Sequence, residues 1–126
     1  MAHLLVVDDS RLTRRIVVGA LKSAGHTCVE ASDGCEGLEV FQQGGFDCVM
    51  SDLLMPNMDG FEMTAAIREQ DPSIPIIVAS ADIQESSRQR CEEIGVTRML
   101  NKPMKGPQIT EAVDEVLAPA TAPVEA

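Results

Sequence analysis

The chain alternates between short apolar runs and longer amphipathic segments, and this pair of patterns repeats five times. The apolar runs are rich in Val, Ile and Leu, as strands buried on both faces are. The segments between them carry apolar residues at helical spacing and have end signals such as Ser10 and Gly25. Because right-handed helical crossovers return each strand to the same direction, this alternation predicts a doubly wound α/β fold with a five-stranded parallel sheet and five helices.

The ends of the runs give the expected bounds of each element. Strands are predicted over residues 3–7, 27–31, 47–51, 76–79 and 97–100. Helices are predicted over residues 11–24, from 34 towards Gly44, and over 61–70, 84–94 and 106–117. On the first helix we expect Ile16 and Val17 to face the core, and Arg14 and Arg15 to face solvent.

Length and composition restrict the class of protein. The 126 residues suit one domain over 1–118, followed by a Pro/Ala-rich tail over 119–126 that has too little to bury and is predicted to be disordered. A net charge of −10 disfavours direct binding to nucleic acid or to an anionic membrane. No signal peptide or membrane-spanning segment is recognisable. The four cysteines lack the spacing of a metal site and suit buried free thiols, which are stable in a reducing compartment. We therefore expect a cytoplasmic protein.

Polar side chains stand where the apolar runs end. Asp8 and Asp9 follow the first run, Asp52 the third, Ser80 the fourth and Lys102 the fifth. The carboxyl ends of parallel strands meet at one edge of the sheet, so these side chains converge if the first and third strands are neighbours. Three carboxylates suit Mg²⁺ or Mn²⁺ rather than zinc. A carboxylate beside a cation can attack a phosphoryl donor, which makes Asp52 the candidate nucleophile for an aspartyl phosphate.

Four segments carry a family resemblance: LLVVDDS, FDCVMSDLLMPNMDGFE, IIVASAD and LNKPM. Together they resemble the signature regions of the response-regulator receiver domain, the CheY-like module of two-component signalling. The resemblance covers about residues 3 to 118, and its most specific part is the D-x-x-M-P-x-M-D-G stretch from Asp52 to Gly60. It implies a flavodoxin-like fold with strand order 2-1-3-4-5.

The resemblance also implies a role for each site residue. Asp52 would accept a phosphoryl group from a phosphohistidine on a sensor histidine kinase or a histidine phosphotransfer protein. Asp8, Asp9, Asp52 and the backbone carbonyl of Leu54 would hold Mg²⁺. Ser80 and Lys102 would contact the phosphoryl group, and the peptide bond before Pro103 would be cis.

We therefore expect a single-domain response regulator that is not an enzyme beyond its own phosphorylation and dephosphorylation. Its output would pass through the face formed by the fourth helix, fifth strand and fifth helix to a downstream protein of unknown identity. The kinase would dock over residues 10–12 and the loop at Met104 and Lys105. The protein would be a monomer or a phosphorylation-dependent homodimer. Met99 occupies a position where receivers commonly have an aromatic residue, so the usual aromatic switch is not assumed.

Other interpretations use the same residues. A phosphorelay shuttle would pass the phosphoryl group onward to another histidine. A Mg²⁺-dependent phosphatase of related fold would need a second acid two residues after the nucleophile, where this chain has Leu54. A receiver that serves only as a scaffold would usually lack an acid or the lysine, and this chain retains all of them.

Overall fold

A five-stranded parallel sheet lies between two layers of helices in the computed structural model, which describes residues 1–81 and 84–118. The strands are β1 His3–Val7, β2 Thr27–Ala31, β3 Cys48–Ser51, β4 Ile76–Ser80 and β5 Arg98–Asn101. The helices are α1 Arg11–Ser23, α2 Gly34–Phe41, α3 Gly60–Gln70, α4 Glu85–Ile94 and α5 Gly106–Leu117. The sheet order is β2-β1-β3-β4-β5. The predicted fold is confirmed, with bounds that differ by a few residues, and the predicted tail lies outside the described residues.

Successive strand residues point to opposite faces of the sheet and build two separate cores. On one face Leu5, Val49 and Val78 pack under α2, α3 and α4. On the other face Leu4 and Ile77 pack under α1 and α5. Burial of each such side chain contributes about 1.5–3 kcal/mol before the entropy cost of ordering it. Because both faces are covered, the sheet leaves only its edges and strand ends for other groups.

Three helices, α1, α2 and α3, begin at capping residues. Each of these residues is the last one of a loop that follows a strand at the carboxyl edge of the sheet. The Ser10 hydroxyl accepts a hydrogen bond from the Thr13 N–H at 3.2 Å, at the start of α1. The carboxylates of Asp33 and Asp59 accept from the third residue of α2 and α3, at 2.8 and 2.9 Å. An N-cap of this kind is worth about 1 kcal/mol. The caps thus fix the far ends of the loops that leave β1, β2 and β3.

The first helix corrects part of the sequence prediction. Ile16 is 47% exposed, whereas the Arg14 side chain is only 14% exposed. The buried residues of α1 are Val17, Val18 and Leu21. Arg14 belongs to the same stripe because positions three, four and seven apart share a helix face, and Ile16 lies beside that stripe. The prediction that Arg14 faces solvent and Ile16 faces the core was therefore wrong.

The cysteines are free, as predicted, but not all are buried. Cys48 and Cys91 are buried, Cys28 is half-buried and Cys35 is exposed. Burial raises the pKa of the Cys48 thiol to about 12, which keeps it protonated at neutral pH.

Within the described ranges no helix is both long enough and apolar enough to cross a membrane.

Gly60 is predicted to be intolerant of any side chain. A Cβ at this position would lie 2.0 Å from the Asp52 carbonyl oxygen, which belongs to backbone and cannot rotate away. We expect Gly60→Ala to reduce the free energy of unfolding by about 2 kcal/mol or more. The matched control is Gly19→Ala on α1, where a Cβ meets nothing within 4 Å. That change should stabilise the protein by about 0.5–1 kcal/mol. Urea unfolding followed by far-UV circular dichroism measures both, and equal stability of the two variants would contradict the prediction.

Candidate functional site

Three carboxylates converge at the carboxyl edge of the sheet. Oxygen atoms from Asp8, Asp9 and Asp52 all lie within 4.8 Å of one another. β1 and β3 are adjacent, with Val7 paired to Ser51, so the residues that follow these partners leave the sheet side by side. Asp8 and Asp52 are buried, and Asp9 is exposed at the mouth of the pocket. The sequence prediction that these acids share one pocket is confirmed.

Asp8 is held firmly at both its backbone and its side chain. Its N–H donates to the Ala31 carbonyl at 3.1 Å. One carboxylate oxygen accepts from the Ser10 N–H at 2.9 Å, and the other accepts from the Lys102 ammonium at 2.7 Å. These hydrogen bonds fix the orientation of Asp8 at the end of β1.

Asp52 is the acid with the most perturbed environment. Oδ1 accepts a hydrogen bond from the Leu53 N–H at 2.7 Å, and Oδ2 accepts from Lys102 Nζ at 3.1 Å. Burial raises the pKa of Asp52 above its usual value, and the nearby charge of Lys102 offsets that effect only in part. The positive charge of Lys102 therefore does not fully compensate the negative charge of the buried Asp52 carboxylate.

Lys102 bridges two acids from one position after β5. Its N–H donates to the Ser80 carbonyl at 3.0 Å, which keeps it beside the end of β4. Burial alone would lower the pKa of Lys102, but the hydrogen bond to Asp8 and the charge of Asp52 outweigh it and raise the pKa above the ordinary value. The amine is thus fully cationic. The peptide bond between Lys102 and Pro103 is cis, as the family resemblance implied.

The remaining predicted site residues lie at the same edge. Ser80 is the last residue of β4 and is buried. Leu54 lies in the loop after β3, two residues beyond Asp52, with its side chain exposed. The roles proposed for the Ser80 hydroxyl and the Leu54 carbonyl stay predictions.

The donor set fits a hard divalent cation. All three acids offer oxygen atoms, which Mg²⁺ prefers, and the cluster contains no imidazole or thiolate for zinc. Among the described residues, Lys102 is the cation that pairs with the carboxylates of Asp8 and Asp52, so the three-acid cluster can accept further positive charge. A cation held here would lower the cost of ionising Asp52.

The loop after β3 is fastened to the start of α2. The Gly34 N–H donates to the Met58 carbonyl at 3.0 Å, and the Asn57 side-chain amide donates to the Asp33 carboxylate at 2.7 Å. Asn57 adopts a φ of 67°, a left-handed conformation that asparagine tolerates better than most residues. These contacts hold the loop that carries Leu54, and sequence analysis missed them.

Arg14 is a second group that sequence analysis missed. Its Nη1 donates to the Asp8 carbonyl oxygen, and its Nε donates to the Glu30 carboxylate on β2 at 3.1 Å. The signal that could have found it was its place on the buried stripe of α1.

The sequence matches the family described as the response regulator receiver domain over residues 4–114. The chain belongs to the receiver-domain family. Receivers are phosphoacceptor modules that bind Mg²⁺ at an acidic pocket, and the aspartate cluster lies where such a pocket would form.

Relatives of this receiver include both kinases and small regulators. The sensor histidine kinase RcsC of Salmonella typhimurium is 39% identical over 101 residues, which cover 80% of this chain and 11% of the kinase. The chemotaxis protein CheY of Halobacterium salinarum is 32% identical over 115 residues, which cover 91% of this chain and 96% of that protein. This receiver therefore spans about a tenth of the kinase and almost the whole of CheY.

Solved structures share the fold. CheY4 of Vibrio cholerae has a TM-score of 0.89 at 34% identity, covering 93% of this receiver and 99% of that chain. A chain of the CheX-CheY-BeF3-Mg²⁺ complex from Borrelia burgdorferi has a TM-score of 0.89 at 27% identity, covering 94% of this receiver and 90% of that chain.

The raised pKa of Asp52 predicts that Asp52→Asn stabilises the cation-free receiver near neutral pH. In the window between the unfolded and the higher folded pKa of Asp52, the folded state binds more protons than the unfolded state. The contribution of Asp52 to wild-type stability therefore falls as pH rises through that window. The amide avoids this loss, so we expect a gain of about 1 kcal/mol at neutral pH that shrinks as the pH falls through this window and vanishes below the unfolded pKa.

Urea unfolding of both proteins across pH, in EDTA, measures this difference. Added Mg²⁺ should then stabilise the wild type more than Asp52→Asn, because the cation restores the missing positive charge. A variant that is less stable than the wild type at neutral pH in EDTA would contradict the prediction.

Proposed function

We propose that this receiver is a phosphorylation switch in which Asp52 accepts a phosphoryl group from a phosphohistidine. The donor would be a sensor histidine kinase or a histidine phosphotransfer protein. The observation that carries the proposal is the convergence of Asp8, Asp9 and Asp52, with Lys102 bridging two of these acids. Beyond its own phosphorylation and dephosphorylation, the receiver would catalyse no reaction.

In the transfer, an Asp52 carboxylate oxygen forms a bond to phosphorus as the phosphorus–nitrogen bond breaks, and the imidazole leaves with the bonding electron pair. The Leu53 N–H holds Oδ1 of Asp52 and so orients the carboxylate. Lys102 would follow the added charge and pair with a phosphoryl oxygen, and the Ser80 hydroxyl would donate to another. Mg²⁺, held by Asp8, Asp9, Asp52 and the Leu54 carbonyl, would supply the positive charge that the phosphoryl oxygens need.

The output would pass along β5, because Lys102 follows this strand directly. Arg98, at the start of β5, forms an ion pair with Glu115 of α5, and Met99 packs against the core formed with α4. A change in the position of Lys102 would therefore bias the α4-β5-α5 face towards a downstream protein. A phosphorylation-dependent homodimer through that face is the alternative to a monomer.

Exposed apolar side chains on α1 and on the loop after β3 suit docking of the donor. Leu12 and Leu54 are 67% and 59% exposed, although large hydrophobic side chains are usually buried. Beside them a groove of about 330 Å³ runs between α1 and the loop after β5, lined by Ile16, Pro103 and Met104. A helix that carries the phosphohistidine could bury these side chains while its imidazole faces Asp52.

A second candidate is a phosphorelay shuttle, which uses the same chemistry in reverse to pass the phosphoryl group to another histidine. A Mg²⁺-dependent phosphatase is disfavoured because Leu54 supplies no acid where the leaving group would need a proton.

Labelling with a small phosphodonor and Mg²⁺ tests the proposal. We expect one phosphoryl group per chain, complete loss of labelling in Asp52→Asn, and normal labelling in the matched control Asp114→Asn on the exposed surface of α5. Intact-protein mass spectrometry measures the stoichiometry. Absence of labelling in the wild type would support a scaffold, and multiple turnovers of the donor would support an enzyme.

The docking surface is tested with the double variant Leu12→Ser, Ile16→Ser. Transfer from an autophosphorylated histidine kinase that labels the wild type should slow about tenfold or more, because buried apolar anchors dominate such interfaces. Labelling by the small donor should not change, since the substitutions leave Asp52, Lys102 and the other two acids in place. Equal kinase transfer to both proteins would place the docking surface elsewhere.

A further inference from the structure

Asp9 is the least constrained of the three clustered acids. The carboxylate of Asp8 accepts two hydrogen bonds, and that of Asp52 also accepts two. Among the contacts of residues 1–81 and 84–118, none holds the Asp9 carboxylate, although its oxygen lies within 4.8 Å of the other two acids. The direction of the Asp9 side chain is therefore set by the backbone that precedes it.

Arg14 holds that backbone. Its Nη1 donates to the carbonyl oxygen of Asp8, which belongs to the peptide bond between Asp8 and Asp9. Because a peptide unit is planar, fixing this carbonyl also fixes the plane of the Asp9 N–H. The guanidinium is therefore bonded to the peptide unit from which Asp9 extends.

Glu30 holds the guanidinium in turn. The Nε of Arg14 donates to the Glu30 carboxylate at 3.1 Å, so two separate donors of one planar group are used. The Arg14 side chain is largely buried by the body of the protein, while that of Glu30 is about half-exposed. A lysine at position 14 has a single ammonium group and cannot reproduce this fork geometry.

We propose that Arg14 is a positioning residue for the divalent cation, which acts by orienting the peptide between Asp8 and Asp9. The inference rests on the proposed function, since it assumes that the acidic pocket binds Mg²⁺. Arg14 of α1 would thus increase the affinity for the cation although its own side chain is positively charged.

The proposed effect of Arg14 on Mg²⁺ affinity is opposite in direction to the effect of its charge. Removal of a positive charge near a cation site lowers the repulsion and should strengthen Mg²⁺ binding. Loss of orientation at Asp9 should weaken it. The direction of the change therefore separates the two effects.

The experiment is isothermal titration of Mg²⁺ into the unphosphorylated receiver. We expect Arg14→Gln to weaken Mg²⁺ binding at least fivefold, and Arg14→Lys to weaken it as well although the charge is retained. The matched control is Arg15→Gln, which removes the same charge from an exposed position on α1 and should change the Kd less than twofold.

Two further measurements keep the test decisive. Far-UV circular dichroism verifies that each variant is folded, and Gly19→Ala supplies a stabilised background if Arg14→Gln unfolds. In the cation-free protein, the amide NMR signals of Asp9 and Ser10 should shift in Arg14→Gln and not in Arg15→Gln. A general loss of stability would not move these signals selectively.

The outcomes distinguish the inference from the proposed function. If the wild type binds Mg²⁺ and both Arg14 variants bind it as tightly or more tightly, Arg14 has no positioning role and the proposed function stands. If the wild type itself fails to bind Mg²⁺, the cation site is wrong and the inference falls with it.

Discussion

The burial of two carboxylates at the ends of adjacent parallel strands is the constraint on which the site depends. The pairing of β1 with β3 places Asp8 and Asp52 side by side, and Lys102 connects both of them to the end of β5. Burial of an ion costs several kcal/mol that one shared ammonium does not fully offset. The raised pKa of Asp52 expresses this imbalance. The fold therefore maintains a pocket that favours the arrival of positive charge.

The strand ends explain why much of the site was predictable from sequence. Apolar runs define strands, and the parallel topology gathers whatever follows each strand at one edge, so Asp8, Asp52 and Lys102 were predicted together without any contact information. The N-cap Ser10 likewise depends on local sequence, and it was predicted as a helix end signal. Helix caps are determined by neighbouring residues, and the positions of the strand ends are determined by the regular alternation of strands and helices.

The features that sequence analysis missed depend on tertiary partners. Arg14 was predicted to face solvent because charged residues usually do. In the structure its guanidinium bonds to the Asp8 carbonyl and to Glu30 on β2, which stabilises its burial. The link between Asn57 and Asp33 joins two loops that are distant in sequence. No local pattern encodes such pairs. The supporting contacts of the site were thus less predictable than the charged groups that they support.

The same electrostatic imbalance provides a physical basis for switching. A ligand shifts a conformational equilibrium only through its different affinity for the two states. The Lys102 ammonium donates to the carboxylates of Asp8 and Asp52, so under the proposed function a phosphoryl group on Asp52 would compete for the ammonium and a cation would pair with the carboxylates. Lys102 lies one residue beyond β5, and the same strand carries the Arg98 pair with Glu115 of α5. Any displacement of Lys102 must therefore be absorbed by β5 or its flanking loop. This continuity along β5, which also carries Met99, connects the proposed output face to the pocket.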